Sequence, residues 1–115
     1  MCRPKLSEVV HSCLVYALAL PVKKRFQRFF PLTADDFIFP SDRSAHYTIV
    51  EIYMFEGRSE AAKKRLIRLL FERFAAELNY DVNDLEVNLI ETPRANWGIR
   101  GRPGDELALS YDVEV

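Results

Sequence analysis

Cysteine is scarce: Cys2 and Cys13 are the only two among 115 residues. Two thiols so placed make neither a disulfide framework nor a metal knuckle, and they point to a reducing, cytoplasmic setting. Histidine is equally thin. His11 lies among polar helix neighbours, His46 opens a strand, and neither has a carboxylate or cysteine at ligand spacing, so neither metal nor cofactor is expected. A surplus of one charge is also missing, with a formal net charge of -1 and a pI near 6.1. That balance gives no electrostatic footprint for nucleic acid or an anionic membrane. Long apolar runs are absent too. The most apolar stretch near the start, Cys13 to Val22, contains Pro21 and follows Glu8 and His11, which makes it a core helix, too short to span a bilayer and without signal-peptide flanks.

What is present is ordinary globular material, with 49% hydrophobic and 29% charged residues in a length that suits one small domain. From Lys5 to Leu18, apolar Leu6, Val9, Val10, Cys13, Leu14, Ala17 and Leu18 recur at three- and four-residue spacing, which predicts an amphipathic helix. Pro21 ends it, and the Phe-rich Arg25 to Leu32 reads as a strand. Thr33 to Ser44 is a turn-rich connector in which Phe37 to Phe39 is a candidate edge strand. Tyr47 to Phe55 carries the strongest strand signal, dense in β-branched and aromatic residues. Gly57 breaks it, Ser59 caps a helix, and Glu60 suits the positive end of the helix dipole. That helix runs to about Leu78 on a stripe of Leu66, Ile67, Leu70, Phe71, Phe74 and Leu78. A turn at Asp81 to Asp84 leads to a strand through Leu85, Val87 and Leu89, closed by Pro93. Asn96 to Gly104 holds three glycines, and Glu106 to Val115 alternates again as a short strand or hairpin arm.

Shifting the first part by 60 positions lays Leu6 on Leu66, Val10 on Leu70, Leu14 on Phe74 and Leu18 on Leu78. One supersecondary unit is used twice. The second copy, within 45–115, is a complete strand–helix–strand unit. The first, within 1–44, has no counterpart of Tyr47 to Phe55, and a βαβ unit without its leading strand has nothing for its helix to bridge. Three explanations stand: a start chosen too far downstream, a strand from a partner chain, or a rearranged sheet. The expected architecture is α+β, with two helices on a mixed four-stranded sheet.

With the unit defined, Glu56-Gly57-Arg58-Ser59, the helix, the strand, and Glu91-Thr92 followed by Asn96-Trp97-Gly98-Ile99-x-Gly101 form an ordered pattern. It resembles that of the 4-oxalocrotonate tautomerases, and the whole chain is similar to the fused, double-length tautomerase-superfamily members such as the malonate semialdehyde decarboxylase group. The resemblance implies a homotrimer of tandem βαβ units acting on small 2-oxo or unsaturated carboxylic acids. Catalysis there uses an amino-terminal proline whose amine, desolvated in an apolar pocket, moves a proton near neutral pH. The resemblance makes Arg58 the substrate-carboxylate arginine and Trp97 the pocket's aromatic wall. It puts Thr48 at the proline's place in the second unit, and Glu86 where a second arginine would stand. Against the decarboxylase group, Lys24, Met54 and Glu56 replace an acidic residue and two arginines. No catalytic residue is therefore expected, and an inactive or weakly active protein is.

Three side chains remain as candidate substrate-binding residues. Arg58 either binds a carboxylate or is a solvated residue beside a cap, and Trp97 either lines a pocket or fills core or subunit interface. Arg25, with Arg28, Lys23 and Lys24, forms either a cationic pocket rim or a solvated charged face. Cys13 reads as a small core residue; Cys2 would be the terminal amine and thiol after methionine removal. Two other readings compete with the enzyme: a trimeric scaffold with a vestigial pocket, and a ferredoxin-like regulatory domain, which the Glu-Gly-Arg-Ser and Trp-Gly-Ile-x-Gly segments disfavour.

Overall fold

A computed structural model of the chain describes residues 3–107. Helix α1 spans Arg3–Leu18 and accepts Pro4 in its first turn, where the missing amide hydrogen has no intrahelical partner to lose. It stops where Ala19 turns left-handed at φ 55° ahead of Pro21. Strand β1, Thr48–Phe55, is joined through helix α2, Glu60–Leu78, to strand β2, Leu85–Thr92. β1 and β2 run parallel in a register that starts at Thr48 opposite Leu85 and ends at Phe55 opposite Thr92. The caps of α2 are those its sequence implies at one end only. The Ser59 hydroxyl accepts the Ala62 amide at 3.1 Å, whereas the carboxyl end is closed by Asn79 at φ 57°, a residue that tolerates left-handed backbone.

The core lies between the two helices and one face of the β1–β2 ladder. Leu66, Leu70 and Phe74 of α2 pack with Val9, Cys13, Ala17 and Leu18 of α1, and Met54, Tyr80 and Leu85 close the cluster. Val50, Ile52, Val87 and Leu89 face it from the strands, as alternation in a half-covered sheet requires. Beyond β2, the 3-10 turn Arg94–Asn96 leads into a small antiparallel ribbon of β3, Gly98–Ile99, and β4, Arg102–Pro103, followed by a 3-10 turn over Gly104–Glu106.

The architecture is α+β, with two helices as expected, but the four-stranded mixed sheet is corrected. Among the described residues the strands form one parallel pair and one short antiparallel pair. Arg25 to Leu32 is extended yet enters no ladder. It runs back along α1, tied there by Gln27 Nε2 donating to the Ser7 carbonyl at 3.2 Å and by Arg3 lying 5.8 Å from the Phe29 ring centroid. A strand exists only as paired backbone, and this segment has a helix beside it but no strand. Phe37 to Phe39 is not a strand either: both rings gather on Tyr47, with centroids 5.3 Å away in each case. The expected arm at the carboxyl end lies, from residue 108 onward, outside the described residues. Among those described, no helix is long and apolar enough to cross a membrane.

Candidate functional site

The carboxyl end of β1 gathers the cationic and aromatic groups. Gly57, at φ 127°, lets the chain leave the strand sharply and carry Arg58 back over its end. Arg58 is only 7% exposed, and its Nη1 donates to the Phe55 carbonyl at 3.3 Å. The buried Phe55 ring meets Trp97 edge to face at 5.0 Å. A second guanidinium, that of Arg94, stands 5.7 Å from the centre of the same ring. Its Nε and Nη2 donate to the Gly104 carbonyl at 3.3 and 3.2 Å, and Nη2 also reaches the Leu107 carbonyl at 3.2 Å. Gly104 in turn donates its amide to the Trp97 carbonyl at 2.6 Å. Beside this cluster Lys63 and Glu91 form an ion pair at 2.7 Å. One guanidinium over the Phe55 ring and another on the carbonyl of the same residue bring two positive charges to an aromatic wall, elements from which a carboxylate site can be built. Arg94 was not visible as a candidate in the sequence; its place between Pro93 and Trp97, inside the motif itself, was the available signal.

The amino end of β1 is built differently. Thr48 Oγ1 donates to the His46 carbonyl at 2.8 Å, so at the 2.7 Å contact with Tyr80 the phenol is the donor. This run of hydroxyls ends on a backbone carbonyl; the basic side chains near the strand's head are His46, whose ring lies 6.4 Å from that of Tyr80, and Arg43, 5.3 Å from the Tyr47 ring centre. Nearby, Asp84 accepts the Ser44 amide at 2.7 Å and hydroxyl at 2.6 Å, bonds that hold its carboxyl below the ordinary aspartate value. Glu86 is engaged by the Tyr47 hydroxyl at 2.9 Å, a bond that pushes the Tyr47 phenol up. At the rise of a β-strand, the two ends of β1 are roughly 25 Å apart.

Of the three sequence candidates, Arg58 and Trp97 meet at Phe55. Arg25 is engaged elsewhere. Its Nη2 pairs with Glu8 Oε2 of α1 at 2.7 Å, and the guanidinium holds the Glu8 carboxyl below its ordinary value. No group of three or more His, Cys, Asp or Glu side chains suited to a metal ion occurs among the described residues.

A family model described as "Tautomerase enzyme" matches residues 24–100. The chain belongs to the tautomerase family. Among similar proteins, this tautomerase-family chain is 34% identical over 59 residues to 2-hydroxymuconate tautomerase of Pseudomonas putida, covering 51% of this chain and 94% of that relative. The protein of the same name from Comamonas testosteroni is 35% identical over 57 residues, 50% of this chain and 90% of its own length. Solved structures match over a longer span. A malonate semialdehyde decarboxylase superposes with a TM-score of 0.77 at 23% identity, covering 91% of this chain and 88% of that one. A fused 4-OT, itself a trimer, gives 0.79 at 20% identity, covering 90% and 85%. These structures share the tautomerase fold. Half of this chain corresponds to nearly a whole 2-hydroxymuconate tautomerase.

Proposed function

We propose that this chain is a homotrimeric, cytoplasmic, tautomerase-fold protein that binds a small carboxylic acid and transfers protons weakly or not at all. Its one domain comprises the incomplete unit 1–44 and the complete unit 45–115. The observation that carries the reading is the convergence of Arg58, Arg94 and Trp97 on Phe55, which supplies positive charge and an apolar wall in one place. At the head of β1, Thr48, which stands where the resemblance puts the family's proline, is bonded to Tyr80 and to the His46 carbonyl and carries no amine of its own to act as a base. Relatives named for 2-hydroxymuconate, a small unsaturated dicarboxylate, make that compound the probe.

Calorimetric titration with 2-hydroxymuconate tests the proposal. Saturable binding is expected, weakened about tenfold or more by Arg58→Ala through loss of a charge-assisted bond. A second reading, a trimeric scaffold without a ligand, is favoured by the burial of Arg58 and its bond to the Phe55 carbonyl. Absence of binding to the folded wild-type chain would decide for the scaffold.

A further inference from the structure

Two of the exposed apolar surfaces differ in charge. The first is on the extended segment that runs along α1. Arg25, Gln27 and Phe29 turn toward that helix, through bonds to Glu8 and Ser7 and the stack on Arg3. Alternation then turns Phe26, Arg28, Phe30 and Leu32 the other way. Phe26, Phe30 and Leu32 are 89, 74 and 55% exposed. Arg28 lies over the Phe30 ring, 5.9 Å from its centre, and has no ion-pair partner among the described residues. The patch is apolar with one positive charge set into it.

The second surface is the face of β1 turned away from the helices. Val50, Ile52 and Met54 belong to the core side, so Ile49, Glu51 and Tyr53 stand on the other. Ile49 and Tyr53 are 40 and 56% exposed, and Glu51 between them makes no ion pair among the described residues. The parallel register sets Glu86, Asn88 and Ile90 beside these three on the same face. Glu86 is already bonded to Tyr47, which leaves Glu51 as the available charge. This patch is apolar with one negative charge set into it.

We infer that these surfaces are the two halves of one contact between copies of this chain: Phe26, Arg28 and Phe30 of one protomer seat against Ile49, Glu51 and Tyr53 of the next. Both patches present side chains at alternate positions of extended backbone, so they share a spacing of about 6.6 Å between neighbours on a face. Opposite charges at the centres of two apolar surfaces fix register and reject a like patch. Because the patches differ, each protomer offers one half of the contact to one neighbour and the other half to the same or another neighbour, so the contact can be made twice in a dimer or repeated around a ring. This pairing rests on the self-association proposed above and specifies the surfaces that make it.

Light scattering coupled to size exclusion, over a dilution series, reads the result for the wild-type chain and three variants. Arg28→Glu and Glu51→Arg each place like charges across the contact and are expected to raise the dissociation constant of the assembly by about tenfold or more. The double variant Arg28→Glu/Glu51→Arg restores opposite charges and is expected to assemble within about threefold of wild type, the non-additivity that marks a direct pair. Far-UV circular dichroism confirms that all four chains are folded; both positions are exposed, so folding is expected to be unaffected. A wild-type assembly that neither single variant weakens, or single variants that weaken it without rescue by the double, overturns the pairing while leaving self-association standing. A wild-type monomer overturns both.

Discussion

Gly104 shows how closely the chain returns on the candidate site. A β-carbon added there would lie 2.6 Å from the Arg94 carbonyl oxygen and 3.1 Å from the Phe55 ring, and the first of these neighbours is backbone that cannot swing aside. Gly104→Ala is expected to cost about 1–3 kcal/mol of stability, read from denaturant unfolding, because the Arg94 turn and the Phe55–Trp97 contact must shift together. Asp84 gives a pH dependence of known sign. Its native pKa is lowered, first by the Ser44 hydroxyl and then by the Ser44 amide. A lowered native pKa makes its stabilisation complete above the ordinary aspartate value, about 4, and lost as pH falls through the native value. Unfolding followed from pH 6 to pH 2 is expected to show this acid-side loss, shallower in Ser44→Ala; an unchanged profile in that variant would remove the Ser44 hydroxyl as the cause. At this scale the sequence was partly legible. Arg58 and Trp97 could be named because each sits inside a recognisable motif. Arg94 could not, since its role arises only when residues ten and more positions later bring their carbonyl oxygens back to its guanidinium.

Among the elements, α2 and the strands beside it owe their legibility to local signals. Ser59 caps, Leu66, Leu70 and Phe74 repeat on one face, and β1 alternates between the core side and the open side. Burial follows from those periods directly. Leu70→Ala is expected to destabilise the chain by about 2–5 kcal/mol, since Leu70 is fully buried between α1 and α2, and Ser59→Ala by about 1 kcal/mol through the lost cap. Chemical denaturation measures both. The segment Arg25 to Leu32 shows where local signals stop. Its aromatic composition reads as a strand, but a ladder needs a second strand, and partner availability is not a property of the segment itself. The same holds for Phe37 and Phe39, whose rings stack on Tyr47 while their backbone pairs with nothing.

Across the whole molecule, the two helices pack together while part of the strand surface is left open. Both helices share one core, whereas among the described residues only 45–115 contributes strands, with β1 and β2 as the parallel pair. The open face of that pair and the unladdered segment are the surfaces on which assembly is proposed, and the cluster at Phe55 is the place where a carboxylate is proposed to sit. Proton transfer needs more than binding: it needs a group whose pKa suits the operating pH within reach of the substrate. Thr48, tied to Tyr80 and the His46 carbonyl, is not such a group. The most direct test follows 2-hydroxymuconate by ultraviolet absorbance in the presence of the 115-residue chain. The account predicts conversion little above the rate in buffer alone at protein concentrations that saturate binding. Conversion orders of magnitude above buffer, abolished by Arg58→Ala, would contradict it.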